Sequence, residues 1–350
     1  MTWARRPILA GLAFLGGMVA LIVWLRVSYD IAEAGSSLPS FWRDEPSFSV
    51  ARRALAAATD GRFVYILGGV NDRNEYVAPV EYSRIGPDGR LSTWQVAGQL
   101  PEPRFYLGAA IVNGRLYAIG GGTGPLGDDN FPSASAHSAA IAADGELGPW
   151  RNEAYLSTPR RGLQVVTWNN RIYAVGGYNG TFLRSVEKAL MDRDGRIVEW
   201  QLAAEQAQLE RYMHAATVAH GRIYVLTGHV EGRAGMGYAS VESAPLDPTG
   251  AVGPWRREHS EVGGPRFLAA AASRGNILYL IGGHDGTHRL SSVEAAVAGR
   301  DGAPGPWRNI AELQMPRSAA ATAATTNALF VLGGGGPDGG LNTVESLVIN

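Results

Sequence analysis

Residues 104–121 read RFYLGAAIVNGRLYAIGG, and this stretch decides the fold of the 350-residue chain. Its small apolar residues 107–112 predict a strand that packs closely against neighbouring strands. Asn113-Gly114 supplies the two positive φ angles that a tight hairpin turn requires. The apolar run 116–119 then predicts a second strand that is buried on both faces and ends at a double glycine. The stretch is therefore a buried β-hairpin.

The same hairpin pattern occurs six times along the chain. Each copy begins at an Arg seventeen residues before its last glycine, and a Trp lies ten or eleven residues before that Arg. The tryptophans are Trp42, Trp94, Trp150, Trp200, Trp255 and Trp307, the arginines are Arg52, Arg104, Arg160, Arg211, Arg266 and Arg317, and the glycines are Gly69, Gly121, Gly177, Gly228, Gly283 and Gly334. Self-similarity near a fifty-residue period predicts a propeller, because one such small sheet cannot bury its own faces.

A third and a fourth strand complete each repeat. The third opens with Val-Glu at residues 80–81, 186–187, 241–242, 293–294 and 344–345. A turn dipeptide such as Asp88-Gly89 begins seven residues after the Glu position, and the Trp of the fourth strand follows six residues after the start of that turn. Trp42 has no first three strands before it, and the last repeat has no Trp after it. The segment 38–48 is therefore predicted to complete the last blade beside residues 317–350, which seals an exposed sheet edge.

This pattern resembles the kelch repeat, whose marks are the double glycine, the aromatic or acidic strand that follows and the Trp. The resemblance covers residues 41–350, with two departures: Thr227 replaces a first glycine, and His137 stands at one Glu position. The predicted fold class is all-β, a six-bladed β-propeller of four-stranded antiparallel blades closed by an N-terminal strand. One transmembrane helix is predicted to precede it.

The predicted helix rests on the apolar run 7–25, which carries no charge and is long enough to span a bilayer. Arg5 and Arg6 precede it, so the positive-inside rule places the N-terminus in the cytoplasm and the propeller outside it, in the periplasm or at the cell surface. The domains are then 1–26 (cytoplasmic tip and signal anchor), 27–40 (linker) and 41–350 (propeller). The alternative is a signal peptide cleaved after Ala34.

The loops between the second and third strands predict where a partner binds. The distance from the last glycine to the Glu position varies from ten to sixteen residues, whereas the other spacings are nearly constant. Insertions confined to one type of loop fall on one face of a repeat protein, usually the binding face. In kelch domains, too, ligands are commonly taken by this face, which we call the variable face. The segment that leads to Trp42 enters at the opposite face, so the variable face is expected to point away from the membrane.

Two readings of the six repeat arginines stay open. They form an electropositive ring for a carboxylate on an acidic peptide or a sugar, or each pairs with a Val-Glu glutamate as scaffolding between blades. The second repeat is the best place to look for an unpaired arginine, because His137 replaces its Glu and its long loop contains Asp128 and Asp129.

Aromatic residues give a second set of binding candidates on the variable face. Phe105, Tyr106, Tyr212 and Phe267 follow repeat arginines, and Tyr178 lies in a variable loop. Flat aromatic side chains suit either a protein hot spot or sugar stacking, and packing between blades is the alternative. His229, His284 and His288 are a weak candidate for a metal site.

Composition narrows the function classes. The net charge of −1 does not indicate a nucleic-acid-binding surface. The absence of cysteine excludes disulfides and thiolate chemistry. No nucleophile elbow or phosphate loop is present, so no cofactor or catalytic residue is predicted. The expected function is a non-catalytic assembly subunit that binds another membrane or envelope protein. The alternative is a carbohydrate-binding or sugar-isomerising propeller, since some bacterial kelch propellers are sialic-acid mutarotases.

Overall fold

The structure is a computed structural model that describes residues 42–126, 130–233 and 236–348. These residues form six four-stranded antiparallel sheets and two short two-stranded ribbons. Within the described residues no helix has the length and apolar character needed to cross a bilayer. The predicted helix over 7–25 lies outside the described residues.

Each sheet is one blade, and the first four blades follow chain order. Blade 1 consists of Ala56–Thr59, Phe63–Leu67, Pro79–Arg84 and Gln95–Gln99, and blade 2 of Gly108–Val112, Arg115–Ile119, Ala136–Ala140 and Arg151–Asn152. Blade 3 consists of Gln164–Trp168, Arg171–Val175, Val186–Met191 and Ile197–Leu202, and blade 4 of Ala215–Ala219, Arg222–Leu226, Val241–Pro245 and Arg256–Arg257.

The last two blades include the closure. Blade 5 consists of Ala270–Arg274, Ile277–Ile281, Ser292–Val297 and Arg308–Glu312, and blade 6 of Ala321–Ala324, Ala328–Leu332, Val344–Val348 and Arg43–Glu45. The first strands of the blades contact one another in cyclic order, and the first blade also contacts the last. The ribbons pair Gly122–Thr123 with Phe131–Pro132 and Gly335–Gly336 with Gly339–Gly340.

The predicted closure by an N-terminal strand is confirmed. Arg43–Glu45 lies antiparallel to Val344–Val348, with Asp44 opposite Glu345. The buried Ser346 hydroxyl donates to Glu45 Oε1 at 2.6 Å, and Gln314 donates to the Trp42 carbonyl at 2.7 Å. The outer edge of blade 6 is therefore built from the opposite end of the propeller sequence, and the ring is sealed without an unpaired strand.

Apolar packing holds each blade to the next. The second strands are buried along nearly their whole length, as their continuous apolar sequence predicts. The core divides into six clusters, one at each junction between blades. At the junction of blades 1 and 2, for example, Tyr65 and Leu67 pack with Leu107, Leu116 and Ala118.

Backbone hydrogen bonds also join the blades at every junction. The second glycine of each double-glycine position donates its N–H to the carbonyl of the repeat arginine in the next blade, from Gly69 to Arg104 and onward to Gly334, which donates to Arg52. The six N···O distances lie between 2.8 and 3.3 Å. These glycines have positive φ and lie close to the segment that opens their own repeat; a methyl group at Gly69 would lie 2.8 Å from the Arg53 carbonyl.

Candidate functional site

The six repeat arginines are buried and bonded. Arg160 Nη2 lies 2.6 Å from Glu187 Oε1, and its other amino group donates to the carbonyls of Gly176 and Ser185. Arg211 pairs with Glu242 at 3.2 Å. Arg52, Arg266 and Arg317 pair in the same way with Glu81, Glu294 and Glu345. Burial lowers the pKa of the Arg52 guanidinium to about 10, and the pKa of Arg160, Arg211 and Arg317 is lowered for the same reason, whereas the paired glutamate opposes each shift.

The ion pairs lie within a blade. The second oxygen of each glutamate accepts N–H groups from the segment that arrives from the preceding blade, as Glu187 does from Ser157 at 2.7 Å and Glu242 from Gln208 at 2.8 Å. The arrangement is that of the scaffold reading, with one correction. Each arginine lies in the connection that enters its blade; its side chain pairs with the third strand of that same blade, and its carbonyl accepts from the preceding blade. Because the guanidinium groups are buried, they present no free charge at the surface, and a ligand has to contact other residues.

Blade 2 departs from the pattern, as His137 indicated. Arg104 contacts His137 Nδ1 at 2.6 Å and donates to the Ser135 carbonyl at 3.1 Å. Its nearest carboxylate is that of the half-exposed Glu102, at 3.8 Å. Burial and the charge of Arg104 lower the pKa of His137, so the imidazole is neutral. Asp128 and Asp129 lie outside the described residues.

The axial opening on the variable face is closed by a rim of six residues, each two positions after a repeat arginine. All six have φ between 46° and 60°: Ala54, Tyr106, Gly162, Met213, Leu268 and Ala319. At five of the six junctions the N–H of a rim residue donates to the carbonyl of the preceding rim residue at 2.8–2.9 Å. The axial cavity lined by the rim and its neighbours has a volume of about 50 Å³, room for a few water molecules and too little for a sugar ring.

Above the rim, aromatic rings run in a continuous row that we call the aromatic arc. Its members are Tyr76, Phe105, Tyr106, Tyr178, Phe182, Tyr212, His229, Phe267 and His284. Neighbouring ring centroids are 4.8–6.4 Å apart in tilted or edge-to-face orientations, the geometry that aromatic pairs favour. All except the more deeply buried Tyr212 are half-buried, so the arc is a shallow apolar surface.

The repeat itself builds the arc. The residue after a repeat arginine forms a β-bridge with the residue after the double-glycine position, as Phe105 does with Gly122, Tyr212 with His229 and Phe267 with His284. The bridges Tyr212–His229 and Phe267–His284 each bring two predicted candidates side by side at the start of a variable loop. Phe105, Tyr106, Tyr178, Tyr212 and Phe267 are therefore brought together, and the variable-loop aromatics Tyr76 and Phe182 lie in the same row.

A polar network beneath the arc fixes its position. Asn130 donates from Nδ2 to the Tyr76 hydroxyl at 3.1 Å and accepts at Oδ1 from Arg161 at 2.9 Å. The Arg161 guanidinium lies 4.7 Å from the ring centroid of Tyr178 and 5.8 Å from that of Tyr212. Loops of blades 1, 2 and 3 are thus tied together by one buried arginine and one buried asparagine. Neither residue was predicted from the sequence: Asn130 lies in a variable loop outside the repeat, and Arg161 holds the position after a repeat arginine, where the prediction considered only aromatic residues.

A groove opens beside the arc between the loops of blades 1 and 2. It has a volume of about 740 Å³ and is lined by Arg53, Ala54, Val70, Asn74, Tyr76, Phe105, Tyr106, Gly124, Pro125 and Leu126. Arg53 donates to Asn74 Oδ1 at 2.9 Å. Burial raises the pKa of Tyr106 to about 12, so its hydroxyl stays protonated. This volume is in the range of small-molecule sites.

The three histidine candidates for a metal do not converge. His229 Nδ1 lies 3.0 Å from the Val230 carbonyl oxygen, and His284 Nδ1 accepts from the Gly286 N–H at 2.9 Å. His288 is 77 % exposed and lies 3.9 Å from Asp285. No group of three or more potential metal ligands occurs among the described residues.

His214 is a residue of interest that our sequence analysis missed. Its side chain is 1 % exposed and lines the axial cavity, and neither ring nitrogen has a hydrogen-bond partner. Burial, followed by the charges of Arg211 and Arg160, lowers its pKa to about 3. The repeat register held a signal for it, because the three preceding repeats have leucine at this position.

We expect Thr227→Gly to raise the free energy of unfolding by about 1 kcal/mol. Thr227 has φ 58°, a β-branched side chain that disfavours this conformation, and a buried hydroxyl without a partner. The other five blades have glycine at this position. Urea unfolding of the full chain measures the change. In the control, Thr59→Gly in a regular strand should lose stability; a loss in both variants would contradict the strain at Thr227.

Comparisons with known proteins agree with this architecture. A family model described as the Kelch motif matches residues 159–188 and 265–295. The chain is 24% identical over 182 residues to "Kelch repeat and BTB domain-containing protein 1" of cowpox virus (strain GRI-90 / Grishak), which covers 52% of this chain and 30% of that protein. It is 26% identical over 165 residues to alpha-scruin of Limulus polyphemus, covering 45% of this chain and 18% of that protein.

Among solved structures, the chain is similar to that of YjhT, with a TM-score of 0.67 and 16% identity over 87% of this chain and 96% of that one. At this identity the likeness concerns the fold alone. The chain spans about a third or less of the length of the cowpox protein and alpha-scruin. The matched motifs and the six blades together support a kelch-repeat propeller.

Proposed function

We propose that this protein is a membrane-anchored, extracytoplasmic kelch-type propeller that acts as a non-catalytic assembly subunit, and that its variable face binds another membrane or envelope protein. The aromatic arc carries the proposal. It is a broad, shallow apolar surface on the face with the variable loops, and aromatic residues dominate the energy of protein interfaces. The run 7–25 would hold the propeller at the membrane, with the variable face turned away from it.

The two buried histidines with a lowered pKa, His137 and His214, do not favour an enzyme over a binding module. His137 lies beside Arg104 and His214 beside Arg211, each with a lowered pKa, as a catalytic site could require. The axial cavity at His214 is about 50 Å³, however, and His137 is buried against Arg104. Neither imidazole has room beside it for a sugar-sized substrate.

The test is purification of the full-length protein from native membranes in mild detergent, with mass spectrometry of the proteins that accompany it. We expect a stoichiometric membrane or envelope protein with the wild type. A double variant, Phe182→Ser with Phe267→Ser, should lose it, because both rings lie in the arc.

A matched control carries Val198→Ser and Leu202→Ser, which remove two exposed apolar side chains from the outer strand of blade 3. It should retain the partner. Loss in the control alone would move the interface to the blade sides, and retention in all three proteins would move it to residues 1–41.

The groove beside the arc favours one second candidate, carbohydrate binding. Its aromatic walls, Arg53 and Asn74 suit a sugar ring with polar substituents. If the wild type purifies without a partner, we expect N-acetylneuraminic acid to bind in the groove. A titration should then shift the NMR signals of Tyr76 or Tyr106, and Tyr106→Ser should abolish the response. This reading keeps the mutarotase-like alternative open.

A further inference from the structure

The junction between blades 3 and 4, which we call the 3–4 seam, differs from the other five in its backbone hydrogen bonds. The rim N–H of Met213 forms no hydrogen bond with the Gly162 carbonyl, whereas the five other rim junctions within the described residues are closed. The bond from Gly177 to the Arg211 carbonyl is also the longest of its six equivalents, 3.3 Å against 2.8–3.0 Å. Two independent rings of hydrogen bonds are therefore loosest at one seam.

Unsatisfied buried groups concentrate at the same place. Both nitrogens of His214 lack partners; the Val175 and Arg211 carbonyls are near the ring, and neither forms a hydrogen bond of standard geometry with it. The Nε of the buried Arg211, whose carbonyl accepts from Gly177 across the seam, also lacks a partner. Each such group carries a desolvation cost that an opened seam would remove, because water would then solvate it.

The seam is connected to the aromatic arc through Tyr212. This residue directly precedes Met213, and its ring lies against Gly162, where an added methyl group would be 2.3 Å from Tyr212 Cε2. Its ring also contacts Tyr106 on one side and Tyr178 and Phe182 on the other. Tyr212 therefore joins the two halves of the arc, and a movement at the seam separates them.

We propose that the 3–4 seam is an acid-operated hinge of the variable face, in which protonation of His214 opens the rim between Gly162 and Met213 and releases Tyr212 from the arc. The regulatory part of this inference rests on the proposed function, since it concerns the surface assigned to the partner. The hinge itself rests on the geometry of the seam.

The surroundings of His214 oppose a charge in the closed state. The charged groups that act on the ring are the guanidiniums of Arg211 and Arg160, both positive and both already paired with glutamates. Gly176 packs against the ring from blade 3, and the equivalent positions around the axial cavity are Leu55, Leu107, Leu163, Ala269 and Ala320. Within the described residues the largest charge effects on the ring are those of these two guanidinium groups, and both disfavour the imidazolium, so the proton is accepted in the opened state.

Hydrogen exchange of the full chain tests the hinge without any partner. Rates are measured at pH 7.5 and pH 5 and divided by the intrinsic exchange rates at each pH. Amides of the 3–4 seam, in residues 213–216, should lose protection by about 30-fold at pH 5, the factor set by an unperturbed histidine pKa of about 6.5 in the open state. The equivalent amides at the next seam, in residues 268–271, serve as the internal reference.

His214→Leu is the decisive variant, because leucine occupies this position in three other repeats. It should keep residues 213–216 protected at both pH values. Equal protection of the two seams in the wild type, or an unchanged acid response in His214→Leu, would overturn the hinge.

The two proposals fail separately. If a partner is recovered at pH 7.5 and lost at pH 5 from the wild type but not from His214→Leu, the hinge regulates the binding face. If the protein purifies without a partner and the seam still loses protection in acid, the proposed function is contradicted and the hinge is supported. If the partner is recovered equally at both pH values although the seam loses protection at pH 5, the hinge does not regulate binding.

Discussion

Arg160→Ala is expected to lower the free energy of unfolding by about 3–5 kcal/mol, the usual result of removing one member of a buried ion pair. Glu187 would remain as a buried carboxylate without its cation, and the carbonyls of Gly176 and Ser185 would each lose a donor. Water has little access to this position, because both side chains of the pair are fully buried. Urea unfolding of the full chain measures the effect.

The matched control is Arg257→Ala, which breaks an exposed ion pair with Glu261 at 2.7 Å. Exposed pairs contribute about 0–1 kcal/mol, so this variant should unfold near the wild-type midpoint. A similar loss in both variants would show that the repeat arginines stabilise the propeller no more than surface charges do. The double variant Arg160→Met with Glu187→Leu removes both charges and should recover only the part of the loss that comes from the uncompensated carboxylate. The backbone N–H groups that Glu187 accepts from and the carbonyls that Arg160 donates to would stay without partners.

His214→Leu is expected to stabilise the protein, and to do so more at low pH. The pKa of His214 is about 3 in the folded protein and about 6.5 in an unfolded chain. The unfolded state therefore binds the proton more tightly. The free energy of unfolding therefore has its full value, as far as His214 is concerned, above pH 6.5, and it decreases as the pH falls toward 3.

Between pH 7 and pH 5 this linkage removes about 2 kcal/mol from the wild type through His214 alone. The leucine variant should lack that part of the decline and should gain about 1 kcal/mol at pH 7, because it removes two unsatisfied buried nitrogens. Urea midpoints at the two pH values measure both effects. His288→Leu changes an exposed histidine and should follow the wild-type pH dependence. A parallel decline in His214→Leu would assign the acid sensitivity to other groups.

The fold could be predicted from the sequence because its determinants repeat. Gly69 and its five equivalents each accept the same strained backbone conformation and the same close contact, so their spacing fixes the blade count. The lone Trp42 and the missing last Trp were enough to predict the closure that Arg43–Glu45 makes with Val344–Val348.

The candidate site could be predicted only in part. The pattern placed Phe105, Tyr212 and Phe267 on one face, because each follows a repeat arginine. It left the role of the arginines open, since the sequence does not give the depth of a side chain, and burial is what settles their pairing with the glutamates. The bond between Asn130 and Arg161 could not be predicted, because it joins a variable loop to a connection between blades that lies 31 residues further along the chain.

The closing strand also sets the timing of folding during synthesis. Glu45 bonds to Ser346, which lies 301 residues later in the chain. At roughly 5–20 residues per second, a ribosome needs about 15–60 s to make the sequence between them. Throughout that interval the nascent chain carries Trp42 and its neighbours without the sheet that will cover them. Blades 1 to 5 are complete in sequence before this strand has a place to dock. Ring closure is therefore a late event in folding, and it is the stage at which a chaperone or a neighbouring nascent chain would meet an unpaired β-strand.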